Sequence, residues 1–220
     1  MITSLAPTHN PTHTLPDQLD LYVILDNSNS MTWHYDVCAQ APGADLTLPN
    51  SLICWGLFIG FVRSVAAEAL ALGSLGWQGD LTNPNKGLRV TILGFSCTNQ
   101  QTVPVTFQIG VNLNTQASFD AALQAAMALV PTGGTCPGQT IDMVVNMIQN
   151  DPLAQSRPIR SSILITDGIF YDEPRPAKAA QGLTHFCVQT YALVRFSLIY
   201  MFCCHHTARE LTTRENCTIF

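Results

Sequence analysis

The sequence predicts a doubly wound α/β fold, with a mainly parallel central sheet and helices on both of its faces. Residues 20–26, 88–95 and 161–166 are short, nearly continuous apolar runs, which is typical of strands buried on both faces. Helix-forming segments separate these runs along the chain. Because strands that alternate with helices are joined by right-handed crossovers, the resulting sheet is covered on both sides.

The remaining elements follow from local patterns, in chain order. Residues 52–72 predict a long helix whose wide apolar face suits packing against a sheet. Residues 103–109 alternate in polarity and include Pro104, which favours an edge strand. Ser118 is expected to cap a helix that runs through Leu129. Two more helices are predicted at residues 140–149 and 176–183, and a further strand at residues 185–192.

Composition and charge exclude disorder and a nucleic-acid partner. The 220 residues are 47% hydrophobic and 11% charged, whereas disorder requires low hydrophobicity and high net charge. Ten Lys and Arg residues against 15 Asp and Glu residues give a net charge of −5. So few scattered cations cannot form the basic surface that neutralises nucleic-acid phosphates.

The sequence divides into a Pro- and Thr-rich leader at residues 1–19, one domain at residues 20–193 and an atypical tail at residues 194–220. The leader has neither a basic nor an apolar region, so no secretory signal is visible. The longest apolar run, at residues 52–62, is shorter than the roughly 20 residues that cross a bilayer. We therefore expect no membrane span in this chain.

Oxygen-bearing side chains occupy three loops that the predicted topology brings to one edge of the sheet. They are Asp26, Ser28 and Ser30 after the first strand, Thr135 after a Gly-Gly pair, and Asp167 after the central strand. Ligands of doubly wound sheets bind beyond the carboxyl ends of the strands. Hydroxyl and carboxylate oxygens are the ligands that Mg²⁺ takes in octahedral geometry. The five groups therefore predict a site for Mg²⁺, with Mn²⁺ or Ca²⁺ as alternatives, that leaves one position for an outside ligand.

The three segments, Asp-x-Ser-x-Ser, Gly-Gly-Thr and Thr-Asp-Gly, resemble the metal-ion-dependent adhesion site of the von Willebrand factor type A (vWA) domain. The resemblance implies that Ser28, Ser30 and Thr135 contact the metal, while Asp26 and Asp167 support it largely through water. It also implies a non-enzymatic module for adhesion or recognition, in which an Asp or Glu of a partner protein completes the metal shell. Because most members of this family are extracellular and adhesive, it implies an extracellular or cell-surface location.

Two alternative functions remain open. A Mg²⁺-dependent phosphoryl-transfer enzyme would also place Asp26 after the first strand, but aspartate-nucleophile phosphatases need a second Asp where this chain has Ser28. The sequence also lacks a phosphate-binding P-loop motif. An intracellular, cytoplasmic scaffold of the same fold is the other alternative. The missing signal favours it, whereas eight cysteines favour an oxidising compartment.

The chain departs from the family pattern at two places. Residues 32–50 form a loop insertion beside the predicted metal site, where Trp33 and Tyr35 could anchor a partner. After residue 193 the family pattern would continue with a loop, a helix, a strand and a final helix. Residues 194–220 are expected to be either a truncated or mis-spliced ending, without the last strand and helix, or a divergent short ending in which residues 196–202 form a strand or helix.

Four of the cysteines are candidates for disulfides. Cys38, in the insertion, could bridge to Cys54 at the start of the long helix, or Cys97 could bridge to Cys136. Connectivity does not follow from sequence, so the pairing stays open at this point.

Overall fold

The computed structural model describes residues 17–32, 35–71, 75–98, 103–157 and 160–166, and the backbone of two strands at residues 188–194 and 197–202. The six strands are β1 (Gln18–Asp26), β2 (Gly87–Cys97), β3 (Pro104–Leu113), β4 (Arg160–Thr166), β5 (Val188–Val194) and β6 (Ser197–Phe202). They form one sheet in the order β3-β2-β1-β4-β5-β6. The four central strands are parallel, and the two edge strands are antiparallel to their neighbours. The predicted doubly wound, mainly parallel fold is confirmed.

The helices of the described residues connect these strands. They are α1 (Tyr35–Ala39), α2 (Asn50–Ala71), α3 (Gln116–Met127), α4 (Gly138–Asn150) and α5 (Pro152–Ser156), with short 3₁₀ helices at Asn29–Thr32 and Gln78–Asp80. α2 joins the parallel neighbours β1 and β2, and α3 and α4 lie between β3 and β4. The predicted helix at residues 176–183 lies outside the described residues.

Alternate side chains of β1 face two separate apolar cores. Leu21, Val23 and Leu25 lie in the core that contains the buried residues of α2 and α3. Tyr22 and Ile24 lie in the second core, with the buried residues of α4. Burial on both faces is why β1 is a continuous apolar run rather than an alternating one. It also fixes the carboxyl end of β1, from which the candidate site begins.

Among the described residues, α2 is the one helix long and apolar enough to cross a membrane, judged by length and composition alone. In this fold it packs in the first core, where Trp55, Ile59 and Val62 are buried. The Trp55 indole N–H also donates to the Ala126 carbonyl oxygen of α3 at 2.8 Å. The core helix of an α/β protein and a membrane span satisfy the same criteria, so α2 is weak evidence for a span.

The amino ends of the parallel strands, here called the amino edge of the sheet, contain a buried network of ion pairs. Asp20, on β1, accepts two hydrogen bonds from Arg89 on β2, at 2.9 and 2.7 Å. Arg157 Nε lies 2.7 Å from Asp20 Oδ1, off the axis of a hydrogen bond, so this contact is ionic. Arg89 also pairs with Asp151 at 2.9 Å. Asp20, Arg89 and Arg157 are all buried, so their charges are compensated within the chain.

Two local predictions are wrong. Ser118 does not begin α3, because Thr115 caps it and accepts a hydrogen bond from the Ser118 backbone N–H. The Ser118 hydroxyl oxygen in turn accepts a hydrogen bond from the Thr115 N–H, which is the reciprocal arrangement of a capping box. The insertion is not all loop either, since it contains α1, which the Cys38–Cys54 disulfide attaches to α2.

Candidate metal centre

Asp26 occupies the last position of β1 and is fully buried. It lies at the carboxyl ends of the parallel strands, here called the carboxyl edge of the sheet. Its Oδ1 accepts a hydrogen bond from the Ser28 backbone N–H at 2.8 Å. Its Oδ2 accepts one from the Thr166 hydroxyl, at the end of the neighbouring β4, at 2.6 Å. Both carboxylate oxygens are thus oriented by groups of two adjacent strand ends. This arrangement suits a carboxylate that supports a metal through its neighbours and bound water.

The two serine hydroxyls lie side by side just beyond β1. Ser28 Oγ and Ser30 Oγ are 2.8 Å apart, and Ser28 is fully buried while Ser30 is partly exposed. The tight 3₁₀ turn at Asn29–Thr32 brings these alternate side chains to one side. Adjacent ligands of an octahedral Mg²⁺ lie about 2.8–3.0 Å apart, since each bond is about 2.0–2.1 Å long. The two hydroxyls are hydrogen-bonded to each other, at a distance that is also compatible with two neighbouring ligands of a small cation.

Backbone hydrogen bonds hold the Gly-Gly-Thr segment against this turn. The Asn29 N–H donates to the Gly133 carbonyl oxygen at 2.9 Å, and the Thr132 N–H donates to the Asn27 carbonyl oxygen at 2.8 Å. Thr135, two residues after Gly133, is buried. The loop that carries the third predicted hydroxyl ligand thus lies beside the loop that carries the first two.

Gly133 is required at its position by backbone geometry. Its φ of +72° is favoured only for glycine, and a Cβ there would clash with the Cys97 carbonyl oxygen at the end of β2. The Cys97 N–H in turn donates to the Gly134 carbonyl oxygen at 2.8 Å. Gly133 is therefore explained by the close passage of this loop along β2.

The helix that follows this loop begins without help from Thr135. α4 starts at Gly138, and its N-cap residue, Pro137, makes no side-chain capping bond. A role of Thr135 as the cap of that helix would have been an ordinary explanation for a threonine here. The observed start of α4 at Gly138 excludes this explanation for Thr135.

Of the predicted site residues, the structure brings Asp26, Ser28 and Ser30 together and places the loop of Thr135 beside them. Asp167 lies outside the described residues. Within the described residues, no three His, Cys, Asp or Glu side chains come together as a metal cluster. A centre built from hydroxyls would not form such a cluster, because serine and threonine are not among those residue types.

Sequence reasoning did not single out Thr166, although the motif Thr-Asp-Gly contains it. Its hydroxyl fixes the orientation of the Asp26 carboxylate from the adjacent strand. The predicted parallel sheet could have pointed to Thr166. In the structure Leu25 of β1 pairs with Ile165 of β4, so Asp26 and Thr166, the next residue of each strand, lie side by side. The Cys97–Cys136 pairing, which the sequence left open, is formed in the structure directly after Thr135.

Solved structures resemble this chain in fold. Proximal thread matrix protein 1 from the mussel byssus matches 82% of the chain with 17% identity and a TM-score of 0.52. Manganese-loaded TRAP protein of Plasmodium vivax matches 81% of the chain with 21% identity and a TM-score of 0.50. A von Willebrand factor type A structure from Catenulispora acidiphila matches 81% of the chain with 17% identity and a TM-score of 0.49.

The chain has a vWA fold. At these identities the likeness shows the fold alone. The chain covers 38% of the mussel protein and 57% of TRAP, so the functions of those whole proteins are not assigned to this chain. No model of a protein family matches the sequence, and no curated protein matches it.

Proposed function

We propose that this vWA chain is a divalent-cation-dependent protein-binding module. In it, Ser28, Ser30 and Thr135 hold the ion, Asp26 and Asp167 support it, and an Asp or Glu of a partner protein completes its shell. The observation that carries the proposal is the pair of hydroxyl oxygens of Ser28 and Ser30, 2.8 Å apart. That pair is anchored to a buried carboxylate whose own oxygens are already oriented by hydrogen bonds.

The chemistry of the donors explains why such a site would bind a partner rather than catalyse a reaction. Three hydroxyls carry no charge, so a cation held by them keeps most of its positive charge. Asp26 supports the site through the Ser28 N–H and the Thr166 hydroxyl. An ion that is poorly neutralised attracts an anionic oxygen, and a partner carboxylate supplies one. The bound cation would thus provide electrostatic attraction and no chemical step.

The hydroxyl donors favour a hard cation such as Mg²⁺, Mn²⁺ or Ca²⁺, because these ions take oxygen ligands. The 2.8 Å between the Ser28 and Ser30 hydroxyl oxygens is the length of their mutual hydrogen bond and does not select among these ions. Mn²⁺ is the spectroscopic probe of the site. The structural neighbour TRAP was solved loaded with manganese, which supports the choice of this probe.

An extracellular or surface location is part of the proposal. Two disulfides, Cys38–Cys54 and Cys97–Cys136, form within the described residues. Disulfides persist in oxidising compartments and are rare in the cytosol. Counting the free thiols of the protein purified from its native source tests this point, because a cytosolic scaffold would have these four cysteines reduced.

Thermal unfolding with and without Mn²⁺ tests the proposed site. At 100 times its Kd, an ion that binds only the native state stabilises it by about 2.7 kcal/mol. For a domain of this size that raises the melting temperature by about 5–10 °C. Asp26→Asn and Ser30→Ala are expected to abolish this increase. Ser64→Ala is the matched control, because Ser64 is exposed on α2 and bonds only within its own helix. No increase for the wild type, or the same increase for Asp26→Asn, would reject the proposal.

The partner carboxylate is tested by linkage. If a carboxylate binds the held ion, acetate lowers the Mn²⁺ concentration that gives half-saturation, because coupling between two ligands is reciprocal. Acetamide has a similar size and no charge, so it is expected to leave that concentration unchanged. An equal effect of both compounds would show that the vacant position does not select an anionic oxygen.

A further inference from the structure

The Cys97–Cys136 disulfide links the end of β2 to the residue directly after Thr135. Both cysteines are buried. On the other side of Thr135, the Gly134 carbonyl oxygen accepts a hydrogen bond from the same residue, Cys97, at 2.8 Å. Thr135 is thus flanked by two attachments to the last residue of β2, one covalent and one hydrogen-bonded.

The surrounding segment has a particular need for such an attachment. Gly133 adopts a positive φ, and α4 begins after Pro137 without a side-chain cap. A loop with a glycine pair has many backbone conformations available to it, and each must be excluded to hold one hydroxyl in place. The disulfide restricts the loop at the position next to the predicted ligand.

We infer that the Cys97–Cys136 disulfide positions Thr135 for the cation, so that the metal affinity of the site depends on this bond. This rests on the proposed function of the site. Cys97 and Cys136 are positioning residues: they would act on the ion only through the loop that carries the Thr135 hydroxyl. Loss of an outer contact that orients a metal ligand typically weakens metal binding by about 10–100-fold.

The second disulfide provides a control of the same chemical kind. Cys38–Cys54 connects α1 to α2 and lies outside the Gly-Gly-Thr loop. The two bonds span 16 and 39 residues, and the entropy that a cross-link removes grows only with the logarithm of that span. Removal of either bond is therefore expected to lower the melting temperature comparably. Only removal of Cys97–Cys136 is expected to change metal affinity.

The first experiment compares C97S/C136S with C38S/C54S in the full chain. The dissociation constant for Mn²⁺ is measured by electron paramagnetic resonance, and the melting temperature is measured without metal. C97S/C136S is expected to weaken Mn²⁺ binding by about tenfold or more, and C38S/C54S to keep the wild-type affinity. Unchanged affinity in C97S/C136S, or equal weakening in both variants, overturns the inference. A wild type that binds no Mn²⁺ refutes the proposed function itself, and this result differs from the results that overturn only the inference about the disulfide.

A second measurement uses the wild type and does not depend on the variants folding. In a buffer of reduced and oxidised dithiothreitol, reduction transfers two electrons and two protons to Cys97–Cys136, which gives two thiols while the dithiol closes to its own disulfide. The coupling between reduction and Mn²⁺ binding is reciprocal. If reduction weakens Mn²⁺ binding by a given factor, saturating Mn²⁺ should lower the equilibrium constant for reduction by the same factor. Alkylation and mass spectrometry of each cysteine peptide report the shift. Mn²⁺ is expected to protect Cys97–Cys136 and not Cys38–Cys54; equal protection of both, or of neither, overturns the inference.

Discussion

The amino edge and the carboxyl edge of the central sheet each contain a buried aspartate of β1, and the two aspartates differ in the groups that contact them. At the amino edge, Asp20 is paired with the guanidinium groups of Arg89 and Arg157. At the carboxyl edge, Asp26 is oriented by a backbone N–H and the Thr166 hydroxyl, and it lies beside two serine hydroxyls. The first arrangement compensates its charges inside the chain. The second gathers neutral oxygens around a carboxylate, which is an environment suited to a cation from outside.

The pKa values at the amino edge reflect this internal compensation. Burial lowers the pKa of the Arg157 guanidinium, and its attraction to Asp20 opposes that shift only in part. Burial would also lower the pKa of Arg89, but its hydrogen bonds and ion pairs with Asp20 and Asp151 together raise it. Both guanidinium groups keep their charge, because arginine is not deprotonated in proteins. The amino edge therefore pairs its guanidinium charges with carboxylates inside the chain.

Removal of the shared aspartate at the amino edge should have the largest effect. Asp20→Asn leaves two buried guanidinium groups without their common partner, and breaking a buried pair in this way costs about 3–5 kcal/mol. The free energy of unfolding, measured in urea, reports the loss. Asp17→Ala is the control, because Asp17 pairs with Lys86 on the surface and its loss should change little. A loss below about 1 kcal/mol for Asp20→Asn would contradict the contrast between the two edges.

A smaller loss is expected from Gly133→Ala at the carboxyl edge. The substitution forces a positive φ on a residue with a Cβ and pushes that Cβ into the Cys97 carbonyl, which costs about 1–3 kcal/mol. Gly43→Ala is the matched control, since Gly43 also has a positive φ but has open space around it. Gly133→Ala should in addition weaken Mn²⁺ binding because it displaces the Thr135 loop. Equal loss of stability and equal Mn²⁺ affinity in both variants would contradict this account of the loop.

The smallest effect concerns Tyr22, which lies on β1 near the amino edge. Burial, and secondarily the Asp20 charge, raise the pKa of its phenol above the ordinary value of 10.0. Below pH 10 the phenol is neutral in both folded and unfolded chains. Above pH 10 the unfolded chain loses the proton first, so stability falls as pH rises, by up to about 1.4 kcal/mol per pH unit. Unfolding in urea between pH 9 and 11 should show this slope in the wild type and a smaller one in Tyr22→Phe; identical slopes would show that Tyr22 is not the cause.

The sequence predicts the strands well where burial is uniform. The strands β1, β2 and β4 each contain a nearly continuous apolar segment because both of their faces are buried, and such a segment is a strong signal. Capping is harder, because Thr115 and Ser118 both carry hydroxyls and only the reciprocal bond between them decides which residue begins α3. The five residues of α1 give no periodic signal, and this helix is attached to α2 by the Cys38–Cys54 disulfide, a pairing that the sequence offered but could not decide.

The same distinction applies to the candidate site. Asp26, Ser28 and Ser30 are two residues apart, so a tight turn is enough to bring them together, and the sequence pattern predicts it. The position of Thr135 depends on hydrogen bonds from Asn29 and Cys97 and on a disulfide across 39 residues. The pairing of Asp20 with Arg89 likewise joins residues 69 apart. Such contacts are set by tertiary structure, and no local pattern encodes them.

The most direct test of the proposed metal site is the anomalous diffraction of a crystal soaked in Mn²⁺. We expect one anomalous peak at the carboxyl edge of the sheet, within bonding distance of the hydroxyl oxygens of Ser28, Ser30 and Thr135 and open to solvent on one side. A peak elsewhere, no peak, or a Thr135 hydroxyl directed away from the two serines would contradict the proposal that these three hydroxyls hold the ion.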